Sequence, residues 1–164
     1  MSKETFKYHY LKYNRFHVLR PNFFVRIIWA FYLKDLFLAF VVGASTFKAR
    51  GASKQAAVIL DISNPRFMLA SLPIVLLCYA LAHRQPMAGR RIRWIWRNGQ
   101  HLILTAALMN SAMVLMSYQR FFVDGGWILM GALVINIFTI IYVYRSEEVR
   151  DLFTEFPTPP APTT

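Results

Sequence analysis

Four long apolar stretches constrain the fold of this chain more than any other feature of its sequence. They lie at about 23–47, 65–82, 102–118 and 127–144 in a chain of 164 residues that is 56% hydrophobic. A helix that crosses a bilayer needs roughly 17–25 mainly apolar residues. The core helices of a soluble bundle would instead need polar outer faces, and the third and fourth stretches have none. The sequence therefore predicts an all-α integral membrane bundle of four transmembrane helices.

The basic residues predict how these helices are oriented in the membrane. The segments on one side carry most of the positive charge, namely Lys3, Lys7, Lys12, Arg15, Arg20, Arg84, Arg90, Arg91, Arg93, Arg97, Arg145 and Arg150. The segments on the other side carry Lys48, Arg50, Lys54 and Arg120. An excess of lysine and arginine marks the cytoplasmic side, so both termini are expected there. Topology and anionic lipid account for the net charge of +11, and nucleic acid is not an expected partner.

The same pattern divides the chain into three parts. A basic cytoplasmic arm is predicted at 1–21, a membrane domain at 22–144 and a short cytoplasmic tail at 145–164. The tail is rich in proline and is expected to be disordered from about residue 157. The first apolar stretch does not have the proportions of a cleavable signal, and we expect it to remain in the mature protein.

Polar residues interrupt the apolar stretches near their middles. Lys34 and Asp35 lie at the midpoint of the first stretch, Asn110 at that of the third and Asn136 beside that of the fourth, while Pro73 breaks the second. A charge at bilayer depth costs about 2.5–3.5 kcal/mol on insertion scales, so such residues usually face the protein interior and are paired. The spacing predicts a polar cluster of Lys34, Asp35, Asn110 and Asn136 at one depth in the membrane.

Three roles for this cluster remain open at the level of sequence. The polar groups could serve packing alone, since buried amides form hydrogen bonds between membrane helices. Asp35 could be the titratable site of a small oligomeric transporter, although the neighbouring Lys34 favours its charged form. The two charges could also dock another membrane subunit.

A second motif lies in the predicted cytoplasmic loop before the third stretch. Basic and large apolar side chains alternate there, at Arg90, Arg91, Arg93, Trp94, Trp96 and Arg97. As a helix, such a segment would be amphipathic and would lie among anionic lipid headgroups. Recruitment of a partner protein is the alternative interpretation of this interfacial basic segment.

No motif for catalysis, metal binding or cofactor binding stands out. The lone Cys78 lies within the second span, where a cysteine usually acts as a small hydrophobic residue. His83 and His101 flank the second and third spans on the same side, but interfacial histidines explain them better than a haem site does. The sequence also contains no group of residues suited to nucleophilic catalysis or to phosphate binding. The sequence predicts a protein that is not an enzyme and that has no cofactor or metal.

The layout also resembles a known family. Leu19-Arg20-Pro21 precedes the first span, Gly43-Ala44-Ser45 ends it, Asn64-Pro65 begins the second, and Trp96-Arg97 precedes the third. In these features the chain is similar to the YfeZ-type family of uncharacterised small bacterial inner-membrane proteins. The family more typically has Tyr-Pro at the start of the second span and an arginine in place of the Lys34–Asp35 pair. The resemblance implies four helices and a multi-pass location in the bacterial inner membrane.

These observations together favour one function and leave a second open. We predict a non-enzymatic accessory or assembly subunit of a larger membrane complex. Its partners would be the bilayer with its anionic headgroups and another membrane protein or further copies of the chain. The alternative is a small oligomeric transporter that uses Asp35 as its mid-membrane carboxylate.

Overall fold

The computed structural model describes residues 7–14, 16–48, 65–116 and 126–157. The predicted disordered tail beyond residue 157, the loop that joins the first two spans and the end of the third span lie outside these residues. Six helices are described, and the described residues form no strand beyond one isolated bridge between Tyr13 and Leu19. The all-α prediction is therefore confirmed.

The helices follow the chain in a simple order after a short 3-10 turn at Tyr10–Lys12. They are α1 at Phe23–Lys48, α2 at Pro65–Ala82, α3 at Arg90–Arg97, α4 at Gly99–Met116, α5 at Gly126–Arg145 and α6 at Glu147–Thr154. The four long helices α1, α2, α4 and α5 correspond to the four apolar stretches. The two short helices α3 and α6 each lie next to the end of a long one.

Local sequence explains where several helices begin. Asn22 caps α1, because its side-chain oxygen accepts a hydrogen bond of 2.9 Å from the backbone N–H of Val25. Pro65 begins α2, where its fixed φ suits the first helical position. Ser146 caps α6 by accepting a hydrogen bond from the N–H of Val149, and two glutamates in the first turn complement the helix dipole.

The four long helices pack around one core. α2 contacts α1 on one side and α4 on the other, and α5 packs against α4. Asn22 at the start of α1 donates a hydrogen bond of 2.8 Å to the hydroxyl of Tyr142 on α5. This bond links the first of the four long helices to the last of them. The core between them is formed mainly by Val25, Ile28, Trp29, Tyr32, Ile74, Leu77, Ala80, Ile103, Ala106, Ala107 and Val143.

The outer surface of these four helices is apolar. Large side chains point outward from each of them, among them Phe37, Phe40, Leu72, Leu108, Val134, Ile137 and Phe138. The buried set, in contrast, includes the polar residues Asp35, Ser71, Asn110, Asn136 and Thr139. A water-soluble bundle also has an apolar core, but its outer surface is mainly polar, and in this respect the four long helices differ from it.

By length and composition, α4 is the one described helix that suffices to cross a membrane. Two shorter apolar segments accompany it in the described part of the chain, Phe67–Ala82 in α2 and Met130–Arg145 in α5. These findings support the membrane prediction in part, because the described residues are helical and one of their helices is long and apolar enough to cross a membrane.

One end of the long helices is covered by α3, α6 and the described part of the N-terminal arm, which we call the cap. Trp96 of α3 is fully buried there, and its indole N–H donates a hydrogen bond of 3.0 Å to the carbonyl of Leu152 in α6. Its ring packs against Phe153 with 5.2 Å between the ring centroids. Phe153 in turn lies against Gly99, the first residue of α4. The cap therefore couples α3, α4 and α6.

Replacement of Gly99 by alanine tests this packing. A Cβ at residue 99 would overlap the Phe153 ring, which is itself buried. We expect Gly99→Ala to lower the free energy of unfolding by about 1–3 kcal/mol, the usual cost of overfilling a packed core. The midpoint of unfolding in mild detergent would measure the effect. Gly89→Ala is the matched control, because a Cβ there meets no atom within 4 Å. Equal stability of the two variants would contradict this account of the cap.

Candidate functional site

The two charges of α1 form an ion pair with each other. The ammonium of Lys34 lies 2.6 Å from a carboxylate oxygen of Asp35. The Asp35 side chain is 9% exposed and the Lys34 side chain 44% exposed, so the pair runs from the interior to the surface. Lys34 also lies over the ring of Phe31, 5.0 Å from its centroid. Neighbouring residues of a helix point about 100° apart, and the long lysine side chain closes that gap.

A second polar group joins three of the long helices. The hydroxyl of Tyr32 in α1 donates a hydrogen bond of 2.9 Å to the side-chain oxygen of Asn136 in α5. The hydroxyl of Ser71 in α2 donates one of 2.6 Å to the backbone carbonyl of Tyr32. All three residues are buried. The side-chain nitrogen of Asn136 has no hydrogen-bond partner among the described residues. Polar contacts thus tie α1 to both α2 and α5.

The predicted mid-membrane cluster is distributed over separate groups. Asn136 binds Tyr32, Lys34 binds Asp35, and Asn110 is buried in α4. Among the described hydrogen bonds, none connects Asn110 or Asn136 to the charged pair. Tyr32 is the member that the sequence interpretation missed. A tyrosine one turn before Asp35, within an apolar stretch, was the available signal, because a buried tyrosine hydroxyl usually finds a partner.

The interfacial basic segment forms helix α3, but its side chains divide between two faces. Arg90, Arg91, Trp94 and Arg97 are exposed, and an open groove on this face is lined by Arg90, Arg91, Trp94 and Ile95. Trp96 is fully buried against α6, so it differs from the prediction that it lies among headgroups. Arg93 donates hydrogen bonds to the backbone carbonyls of Pro86 and Ala88. Arg93 and Trp96 are three residues apart and share one face of α3, and this face packs against the rest of the protein.

Arg84 is the buried charge of the cap and was predicted only as a loop residue. It is 5% exposed, and its guanidinium donates hydrogen bonds of 2.7 Å to the carbonyls of Leu19 and Glu155. The guanidinium also lies over the Trp96 ring, 4.2 Å from its centroid. Burial lowers the pKa of Arg84 to about 10, against the opposing effect of the Glu155 charge. Arg84 is therefore ionised at pH 7 in folded and unfolded chains alike, and the cost of its burial is relieved only as the pH rises through about 10.

The described part of the N-terminal arm contacts α6 through complementary charges. Lys7 and the hydroxyl of Tyr8 both bond to Asp151, at 2.7 and 2.8 Å. Lys12 bonds to Glu148 at 2.9 Å. The hydrogen bonds from Lys7 and Tyr8 hold the pKa of Asp151 below its usual value, and the hydrogen bond to Asp151 raises the pKa of Lys7. The described part of the basic arm is thus a folded component of the cap.

The remaining candidates for chemistry lie apart. No group of three or more histidine, cysteine, aspartate or glutamate side chains in the described residues could hold a metal ion. Cys78 is a partly buried free thiol in α2. His83 and His101 are exposed, and Nδ1 of His83 lies 2.9 Å from the carbonyl of Tyr79.

Comparison of the chain with protein-family models, curated proteins and solved structures gives no match. The resemblance to the YfeZ type stays a prediction.

Replacement of Arg84 tests whether this side chain holds the cap closed. Arg84→Met keeps a long apolar side chain but leaves the carbonyls of Leu19 and Glu155 without their donor. Loss of hydrogen bonds from a buried charged group predicts a destabilisation of about 2–4 kcal/mol. We expect faster hydrogen exchange in the backbone of the arm, measured by mass spectrometry. Arg91→Met, an exposed change of the same kind, should leave exchange unaltered. Slow exchange in the Arg84 variant would show that other contacts hold the arm.

Proposed function

We propose that this chain is a four-span inner-membrane protein that serves as a non-enzymatic accessory or assembly subunit of a larger membrane complex. The observation that carries the membrane part is the apolar outer surface of the four long helices, whose buried residues include several polar ones. An apolar surface of this extent would be unstable in water, whereas acyl chains solvate it. The resemblance to small bacterial inner-membrane proteins supports the same location.

The lengths of the long helices support four crossings. α1, α2, α4 and α5 contain 26, 18, 18 and 20 residues, and about 20 residues span the hydrocarbon core. α1 is long enough to cross with a tilt. Since α3 and α6 cover one end of these helices, the arm and the segment after α5 belong to the same side of the proposed bilayer.

The charge of the cap supports a cytoplasmic position for that side. Arg90, Arg91 and Arg97 are exposed there, next to the exposed ring of Trp94. Basic side chains near the ends of spanning helices favour the cytoplasm, and tryptophan rings favour the headgroup region. We propose that this face of α3 contacts anionic lipid headgroups, which would anchor the cap at the inner surface of the membrane.

The position of Lys34 supports a role in assembly. Its side chain is 44% exposed on the outer surface of α1, near the middle of the helix. A cation that faces acyl chains is costly, and contact with another subunit would reduce that cost. This argument favours assembly over a role in packing alone.

A transporter that uses Asp35 is the second candidate. The burial of this carboxylate among packed helices favours it, because a carrier group within a membrane must be shielded from lipid. The bonded ammonium of Lys34 opposes it, since a neighbouring cation stabilises the charged carboxylate and hinders proton uptake.

Reporter fusions test the proposed topology. Fusions after Arg97 and after Thr164 should report a cytoplasmic location, and fusions within 48–64 should report a periplasmic one. The physical reason is the excess of basic residues on the side of the cap. A periplasmic signal after Arg97 would contradict either the number of spans or their orientation.

The substitution Asp35→Asn separates the candidate functions. It keeps the shape of the side chain and removes its charge. An assembly role predicts loss of a stable hetero-complex in mild-detergent purification, with the chain still inserted. A transport role predicts intact assembly and loss of substrate movement. A packing role predicts little change in either measurement. Asn110→Asp, which adds a buried carboxylate on another helix, controls for the general effect of altering charge in the membrane domain.

A further inference from the structure

A regular stripe of exposed residues runs along α1. Seven exposed positions alternate in spacing between four and three residues, at Phe23, Ile27, Ala30, Lys34, Phe37, Val41 and Ala44. We call this stripe the α1 seam. Its spacing is that of the a and d positions of a coiled coil, which place one helix along another. The opposite face of α1, with Val25, Tyr32 and Asp35, is the buried face of the same helix.

Lys34 is the one polar residue of the α1 seam. It lies 11 residues after the first residue of α1, which is roughly 16 Å along the axis at 1.5 Å per residue. A lysine side chain is too short to reach a headgroup from that depth. Its ammonium instead contacts Asp35 and the ring of Phe31, both on its own helix. An ammonium has three donors, and Asp35 accepts from one of them.

The charges also have a direction. Asp35 lies at the buried end of the ion pair and Lys34 at its exposed end, so the positive end points away from the protein. A group that binds here from outside must therefore accept hydrogen bonds, and a carboxylate is the strongest acceptor for an ammonium. Acyl chains offer no such group. A second copy in parallel would place one Lys34 opposite the other, and like charges repel strongly in a low dielectric.

We propose that the α1 seam binds a transmembrane helix of another protein, and that this helix carries an aspartate or glutamate at its middle that bonds to Lys34. The inference rests on the proposed membrane function and specifies its partner. Apolar side chains of the seam would supply contact area. The single polar residue would set the register of the two helices, as a lone polar residue does at the heptad position called a in coiled coils. The partner is recognised by the depth of its carboxyl group within an otherwise apolar helix.

A synthetic helix can stand in for the partner. The probe is a polyleucine transmembrane peptide with one central aspartate, and its control is the same peptide with leucine at that position. Energy transfer between the labelled peptide and the labelled full-length protein, reconstituted in phosphatidylcholine vesicles, measures their association. We expect the aspartate peptide to bind at least tenfold more tightly than the leucine peptide.

Three variants of the protein make the test specific. Lys34→Met should abolish the preference for the aspartate peptide. The double variant Lys34→Met with Asp35→Asn should also abolish it, and it avoids leaving a buried carboxylate unpaired. Arg26→Met removes an exposed cation from the same helix outside the seam and should leave the preference intact.

Equal binding of the two peptides to the unaltered protein would overturn the inference, as would a preference that persists in both Lys34 variants. Energy transfer between copies of the chain that is lost with Lys34→Met would show self-association through the seam and would also overturn it. The reporter fusions distinguish this failure from failure of the proposed function. If the fusions report four spans but the protein shows no preference for the aspartate peptide, only the proposed partner is refuted. If the fusions report a different topology, the proposed membrane function is refuted as well.

Discussion

An apolar outer surface offers no hydrogen-bond partner, so the polar groups of the long helices bond mainly to one another. In the proposed bilayer, hydrogen bonds between helices contribute about 0.6 kcal/mol each on average, so such groups contribute more to defining the arrangement than to its stability. Tyr32 shows this most clearly, because its hydroxyl binds Asn136 and its carbonyl accepts from Ser71. These two bonds set α1 against α5 and α2 at one position along their length.

The cap differs from the long helices, because it buries a charge near water. Arg84 keeps its charge because two carbonyls and the Trp96 ring replace the water that it loses. The arm and α6 then carry opposite charges on matching surfaces, with Lys7 beside Asp151. Exposed ion pairs of this kind are individually weak. Their contribution is to align two segments that the buried contacts of Arg84 and Trp96 stabilise.

The different exposure of the Lys34 and Asp35 side chains connects these structural features to the proposed assembly. Both residues interrupt the same apolar stretch, but only Asp35 is turned into the protein. The ion pair lowers the cost of placing either charge among apolar groups, and it leaves an ammonium at the surface of α1. A carrier requires the carboxyl group of such a pair to release and rebind a proton. A docking site requires both charges of the pair to persist.

The sequence by itself determined the four long helices, since each coincides with an apolar stretch whose backbone would satisfy its hydrogen bonds as a helix in the proposed bilayer. It also indicated that Asp35, Asn110 and Asn136 would be buried, since each lies in the middle of such a stretch. Only the tertiary structure decided which polar groups meet. The choice of Tyr32 for Asn136 depends on how two helices far apart in the chain are rotated against each other. The inward position of Trp96 likewise depends on α6, which periodicity within α3 could not reveal.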